Sequence, residues 1–220
     1  MIMIADRTGR FPQRPHYLID ELETACDEIV ANFATRHYGQ LVNPVSTPML
    51  VELLEDEAAT VNLYCDLSVE GEEIHGLTEF TPGSKPCVSI ARELSYQHWR
   101  EHRLRTTLAH EYCHVHWHAW LYDRYCLPSS RHKCARGKLL PHDGELDWME
   151  WQAGYICCAL LIPRSRAALS VTAFCAERDL HTPLARATVE GRLLIARTSV
   201  LFNVSMVAAE VRLGQLGYLN

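Results

Sequence analysis

Apolar positions along the chain keep two rhythms, and the changes between them mark the elements. After a Pro-punctuated leader, "HYLIDELETACDEIVANFATRHYG" sets Leu18, Leu22, Ala25, Ile29 and Phe33 at helical spacing and ends at Gly39, which predicts a first helix. A Pro-broken linker, "NPVSTP", leads to a short acidic helix around Met49 to Glu57. The period then shortens. "TVNLYCDL", "EEIHGLTEF" and "KPCVSI" are β-branched and aromatic runs parted by Gly, Pro and Ser, which predicts three strands of a small antiparallel sheet. From Leu104 to about Tyr122 there is no Gly or Pro and an apolar stripe returns, so a long helix is expected. "DRYCLPSSRHKCARGKLLPHDGEL" is rich in turn formers and predicts a long loop, a common home of function. "DWMEWQAGYICCALLI" predicts a second buried helix ending at Pro163. Three more helical segments follow: one after Pro163, one through "PLARATVEGRLLIARTSVLF", and one from about Ser205 to Gly217.

Composition narrows the class. With 220 residues, 48% hydrophobic and 22% charged, the chain is long enough for one well-buried core and is neither disordered nor fibrous in kind. No apolar run approaches the ~20 residues that cross a bilayer, and "MIMIADRTGRFPQRP" lacks a signal peptide's layout, so a cytoplasmic protein with no membrane partner is expected. A net charge of −6 leaves no dominant basic face for nucleic acid, and direct DNA contact is not expected. Nine cysteines, odd in number and partly in apolar stretches such as Cys157-Cys158, read mostly as reduced core thiols.

The chemistry concentrates in His110-Glu111-Tyr112-Cys113-His114. Residues four apart share a helix face, so His110 and His114 can direct imidazole nitrogens at one ion. Glu111, about 100° round the helix, can reach a water on that ion without ligating it, as metal-assisted hydrolysis requires. Zinc also needs a third protein ligand and an open position. Glu150 is the best candidate: it leads an apolar stripe continued by Ala153, Cys157 and Leu161, where an unpaired carboxylate would be costly. The bland alternative is a solvated helix with two surface histidines. The flanking Leu108, Ala109, Val115, Trp117 and Trp120 argue against it.

The same residues carry a family resemblance. "RTTLAHEYCHVHWH" followed by "MEWQAGYICCALLIP" resembles the ImmA/IrrE family of bacterial and mobile-element metallopeptidases, which pair an R-x-T-L-A-H-E-x-x-H helix with an E-x-x-A-x-x-x-A-x-x-L-L-x-P helix. The likeness extends to "VSIARELSYQHWREHRLRTTLAH" upstream and "LFNVSMVAAEVRLGQLGYL" downstream, most of the chain beyond about residue 60. It implies one catalytic zinc (Zn2+) held by His110, His114 and Glu150, with Glu111 catalytic. It implies an α+β, zincin-like metallopeptidase domain in residues 1–165, with the active-site helix beneath the three-stranded antiparallel sheet. Residues 166–220 would form a helical C-terminal subdomain of helix-turn-helix character. The implied activity is a zinc-dependent endopeptidase cutting a regulatory protein, such as a helix-turn-helix repressor, in a phage, mobile-element or stress response. The sequence departs from the family pattern in the long Cys/His-bearing loop between His114 and Glu150, and in Gly154, where Asn or Asp is common. Both departures bear on substrate choice.

Weaker signals remain. Cys126, His132 and Cys134 are candidates for a second, structural zinc, with His118 or His142 as a further ligand. Alternatively this loop is solvated and reduced, or one of its thiols masks the catalytic zinc. His118 itself reads as a hydrogen-bonded histidine rather than a ligand. The C-terminal helix pair offers only Arg212 and Gln215 for reading bases, so packing or a protein partner suits it better. Glu23, Asp27 and "ELLEDE" read as solvated helix faces. Two rival functions stand beside the peptidase. One is a non-catalytic DNA- or partner-binding regulator with a structural zinc, against which Glu111 argues because such a zinc needs no general base; the other is an amidase or toxin-like hydrolase on the same scaffold.

Overall fold

The chain folds as a mixture of helices and small sheets, an α+β arrangement, and a computed structural model describes residues 1–40, 44–135 and 147–220 of it. It divides into two compact units, residues 1–22 with 47–157 and residues 23–46 with 158–220.

The first unit opens with a hairpin that the apolar pattern did not announce. Ile2–Ala5 (β1) pairs antiparallel with Gln13–His16 (β2). Asp6 organises the connection: its carboxylate accepts the N–H groups of Thr8 at 3.0 Å and Phe11 at 3.1 Å. Pro15 is tolerated because each strand of a two-stranded sheet is an edge.

Helices α1 (Ile19–Tyr38) and α2 (Thr47–Glu57) form where the spacing predicts them. The chain leaves α1 at Gly39 with φ +69°, a left-handed conformation that costs a residue without Cβ nothing.

The three expected strands are Thr60–Cys65 (β3), Ile74–Phe80 (β4) and Cys87–Ala91 (β5), but the sheet is neither three-stranded nor wholly antiparallel. A fourth strand, Ser130–Ala135 (β6), lies inside the segment expected to be loop, the order is β3-β5-β4-β6, and β3 runs parallel to β5. The β6 sequence Ser-Arg-His-Lys-Cys-Ala has no β-branched residue and hardly any apolar alternation, so its own propensity gives no warning. Its backbone pairing with β4 decides the matter. Residues 136–146 of the expected loop, His142 included, lie outside the described residues.

After the short helix α3 (Arg92–Tyr96), one helical course runs from Glu101 to Arg124: α4 (Glu101–Cys113), a π-helical turn over His114–His118, and α5 (Ala119–Arg124). The course packs on α2 and β4. Helix α6 (Trp148–Leu161) starts at Asp147, whose carboxylate accepts the Met149 N–H at 3.0 Å, and stops before Pro163. A core of Phe11, Phe80, Leu121, Tyr122, Trp148 and Met149 joins the hairpin region, β4, α5 and the start of α6. This cluster therefore fixes the first turn of α6 against the sheet.

In the second unit, α7 (Arg164–Ala176), α8 (Val189–Phe202) and α9 (Met206–Gln215) form, with Asn203 at φ +50° between the last two. The solvated reading of Glu23 is corrected here: it is 1% exposed and takes bidentate bonds from Arg212 Nη1 and Nη2, each 2.6 Å long. Arg212 is itself 0% exposed and donates from Nε to the Ile162 carbonyl, so it is on no surface that could read DNA. Asp27 likewise accepts the Ser165 N–H at 3.1 Å. A charge pattern on one helix cannot reveal a partner 189 residues away in the chain.

No helix among the described residues is long and apolar enough to cross a membrane. None of the nine cysteines is in a disulfide, and four of them, Cys26, Cys113, Cys157 and Cys158, are buried.

Candidate metal centre

His110 and His114 stand one turn apart on the helical course, both buried, and Glu150 stands on the first turn of α6. Their donor atoms converge. His110 Nε2 lies 3.2 Å from Glu150 Oε2, His114 Nε2 lies 3.3 Å from Glu150 Oε1, and the two Nε2 atoms are 3.2 Å apart. Corners of a tetrahedron around an ion bound at about 2.0–2.1 Å are about 3.3 Å apart, so the donor triangle has the dimensions of three zinc ligands. Two nitrogens and a carboxylate oxygen are also a donor set that zinc takes. The residues therefore fit the group that the sequence implies.

Protonation states agree with that fit. Burial pushes His114 down to about 4, leaving a neutral ring with a lone pair to give. Burial works against the ionised form of Glu150, but the facing rings of His110 and His114 outweigh it, holding the carboxyl well below the usual range.

Glu111 points to the other side, under the sheet. It is 0% exposed; Thr78 on β4 donates to Oε2 at 2.6 Å, while Oε1 has no partner among the described residues. Burial pushes its pKa up to about 7, against the Thr78 hydrogen bond and the neighbouring His110. A carboxylate balanced near neutrality with one free oxygen can accept and return a proton.

The wall above this helix is built by β4 and β6 in register, Gly76 opposite Cys134 and Thr78 opposite His132. Gly76 is needed for space: a Cβ there would run into the Glu111 carboxylate and lie 2.8 Å from Thr107 Cγ2. His132 Nε2 and the Tyr122 hydroxyl oxygen are 2.6 Å apart, and His132 Nδ1 is 3.9 Å from Glu150 Oε1, beyond hydrogen-bond length. A cleft of about 470 Å³ opens beside the triad, lined in part by Arg10, Ile74, His132, Lys133 and Asp147. Arg10 and Asp147 form a two-pronged ion pair at its edge, 3.1 and 2.6 Å.

Among the described residues, Cys126, His132 and Cys134 do not come together as one group. Cys126 is exposed with its thiol toward the Asp123 carbonyl, and His132 is engaged by Tyr122. Cys134 instead lies within ligand range of His110 and Glu111, making it the loop thiol nearest the centre. His118 is buried beneath His114, Nδ1 to Nδ1 at 3.0 Å, with its Nε2 on Gln152 Oε1 at 3.0 Å. Sequence reasoning missed Thr78, Gly76, Tyr122 and Gln152. Spacing from Glu150 was the only signal for Gln152; Thr78 and Gly76 had none, because sheet register brings them in, and Tyr122 lies on α5 with its partner His132 on a strand the pattern did not announce. No model of a known protein family matches the chain, and no curated protein matches it.

Proposed function

We propose that this chain is a zinc-dependent endopeptidase of the ImmA/IrrE kind, on a zincin-like scaffold, that cuts a regulatory protein such as a helix-turn-helix repressor. One observation carries the catalytic part: the donor triangle of His110, His114 and Glu150 adjoins a buried Glu111 whose Oε1 has no partner among the described residues. A purely structural zinc gives no reason to bury such a carboxylate. The repressor substrate rests on the family resemblance alone.

Zinc held by His110, His114 and Glu150 would supply Lewis acidity and lower the pKa of a bound water toward neutrality. Glu111 Oε1 is the group that would hold a proton during peptide hydrolysis and return it to the leaving amine. Thr78 keeps Oε2 occupied, so the proton traffic is confined to one oxygen. His132, its Nε2 engaged by Tyr122, turns Nδ1 toward the cleft as a donor for the substrate carbonyl oxygen.

Elemental analysis of the purified protein beside His114→Ala and Glu150→Ala tests the ligand set. About one zinc in the wild type, lost from both variants, is expected. Full zinc retention by Glu150→Ala would remove it from the set, and a wild type without zinc affinity would sink the peptidase reading.

A further inference from the structure

A ligand histidine is useful to a metal only in one of its two neutral tautomers, and something on its far side must choose. Carboxylates and backbone carbonyls are the usual choosers. Among the described residues, what meets His114 Nδ1 is instead another ring. The π-helical turn begins at His114 and ends at His118, and the two rings meet through their Nδ1 atoms at 3.0 Å. Beyond them, His118 Nε2 meets Gln152 Oε1 at 3.0 Å. The three residues are 1%, 0% and 2% exposed, so these contacts are shielded from bulk solvent.

With the Gln152 amide oxygen facing His118, hydrogen counting along this line leads to one arrangement. An amide oxygen only accepts, so His118 Nε2 carries a proton. His118 is wholly buried and, among the described residues, has no carboxylate within hydrogen-bond reach, so a second proton on the ring would be an unpaired buried charge. Its Nδ1 is therefore a bare acceptor, and the proton between the rings belongs to His114 Nδ1. In a neutral His114 ring the lone pair is then on Nε2, the atom that faces Glu150 and His110.

We infer that His118 and Gln152 are positioning residues that fix His114 in its metal-binding tautomer through a buried three-residue relay. The tautomer stands on these hydrogen bonds alone, and its effect on zinc affinity rests on the metal-centre reading above. Gln152 reaches the relay two residues beyond Glu150, so the first turn of α6 supplies a ligand on one side of His114 and the relay's terminus on the other. The π turn is thereby a working part of the site, a setting in which such turns recur.

Long-range proton–nitrogen correlation spectra of histidine-labelled, metal-free protein read each ring's tautomer, with signals assigned through a His118→Asn spectrum. The expected result is a proton on Nδ1 of His114 and on Nε2 of His118. A proton on Nε2 of His114 overturns the inference. In a second arm, zinc affinity is measured by chelator competition. Gln152→Met keeps the length and loses the acceptor, and should bind about 10–100-fold more weakly, while Gln152→Glu keeps an acceptor oxygen and should restore binding. Equal affinity in Gln152→Met and wild type overturns the inference. If Gln152→Met does not fold, judged by circular dichroism, the wild-type spectra decide alone. If the tautomers are as expected but the wild type takes up no zinc, the metal-centre reading fails and the relay stands.

Discussion

Both units bury charge, and they do so in opposite ways. In the second, Arg212 and Glu23 are sealed together with two 2.6 Å bonds, and the remaining Nε donates to the Ile162 carbonyl. In the first, two imidazole nitrogens and a carboxylate crowd to within 3.2–3.3 Å, and Glu111 keeps an oxygen with no partner among the described residues. A buried ion pair whose hydrogen bonds close on themselves is scaffold. A buried cluster whose donor atoms face one another leaves room for a further group, which is what the proposed metal would supply. The contrast separates structural from functional burial more sharply than burial alone.

The largest effect should come from making the functional side inert. Glu111→Gln keeps shape and burial but cannot take a proton, so cleavage of a substrate should fall about 10²–10⁴-fold with zinc content unchanged. Next comes the scaffold side. Arg212→Met leaves Glu23 buried without its counter-charge and should cost roughly 3–5 kcal/mol of stability in denaturant titration. The double variant Glu23→Leu with Arg212→Met should regain most of that loss, because an apolar pair can replace a closed ion pair. If the single variant unfolds at wild-type denaturant concentrations, the description of this pair as scaffold is wrong.

How much of this contrast was visible beforehand follows from the range over which each part is held together. His110, Glu111 and His114 are local, set by a 3.6-residue period, and Glu150 betrayed itself as a carboxylate heading an apolar stripe. The helical course and the strands β3 to β5 were legible for the same reason. Pairing between distant segments was not. β6 has a polar sequence and becomes a strand only beside β4, so His132 and Cys134 were read as loop ligands rather than as one face of a sheet. The hairpin of β1 and β2 is four residues a side, too short for a period to emerge. Glu23 looked solvated because its partner belongs to the far end of the chain.

Titration sharpens the comparison further, at about 3 kcal/mol. In the metal-free protein Glu111 titrates near 7 against an ordinary value of 4.5, so between those pH values the folded state holds a proton that the unfolded chain has lost. Its contribution to stability is present in full below about 4.5 and lost as pH rises through 7. His114 does the reverse: titrating near 4 against 6.5, it contributes stability above 6.5 that is lost as pH falls through 4. Between about 4.5 and 6.5 these two slopes oppose each other. Metal-free Glu111→Gln removes one of them, so its stability should rise with pH across that window and exceed the wild type's above pH 7 by about 3 kcal/mol. Parallel pH–stability curves for the two proteins would show that Glu111 carries no burial penalty.

The smallest effect tests whether the incomplete cluster depends on space made by the sheet. Gly76 has no side chain where β4 passes over Glu111, and an added Cβ would meet the carboxylate as well as Thr107 Cγ2 at 2.8 Å. Gly76→Ala should therefore cost roughly 1–3 kcal/mol, the usual range for overpacking a well-filled interior. The loss should be accompanied by lower activity, because the group that must move is the proposed general base rather than an apolar neighbour that can shift at no functional cost. Pairing Gly76→Ala with Thr107→Ser, which removes Thr107 Cγ2, distinguishes the two contacts. If that second change restores stability but not activity, the carboxylate is the contact that matters for catalysis, and if it restores both, the glycine serves only to let strand and helix approach.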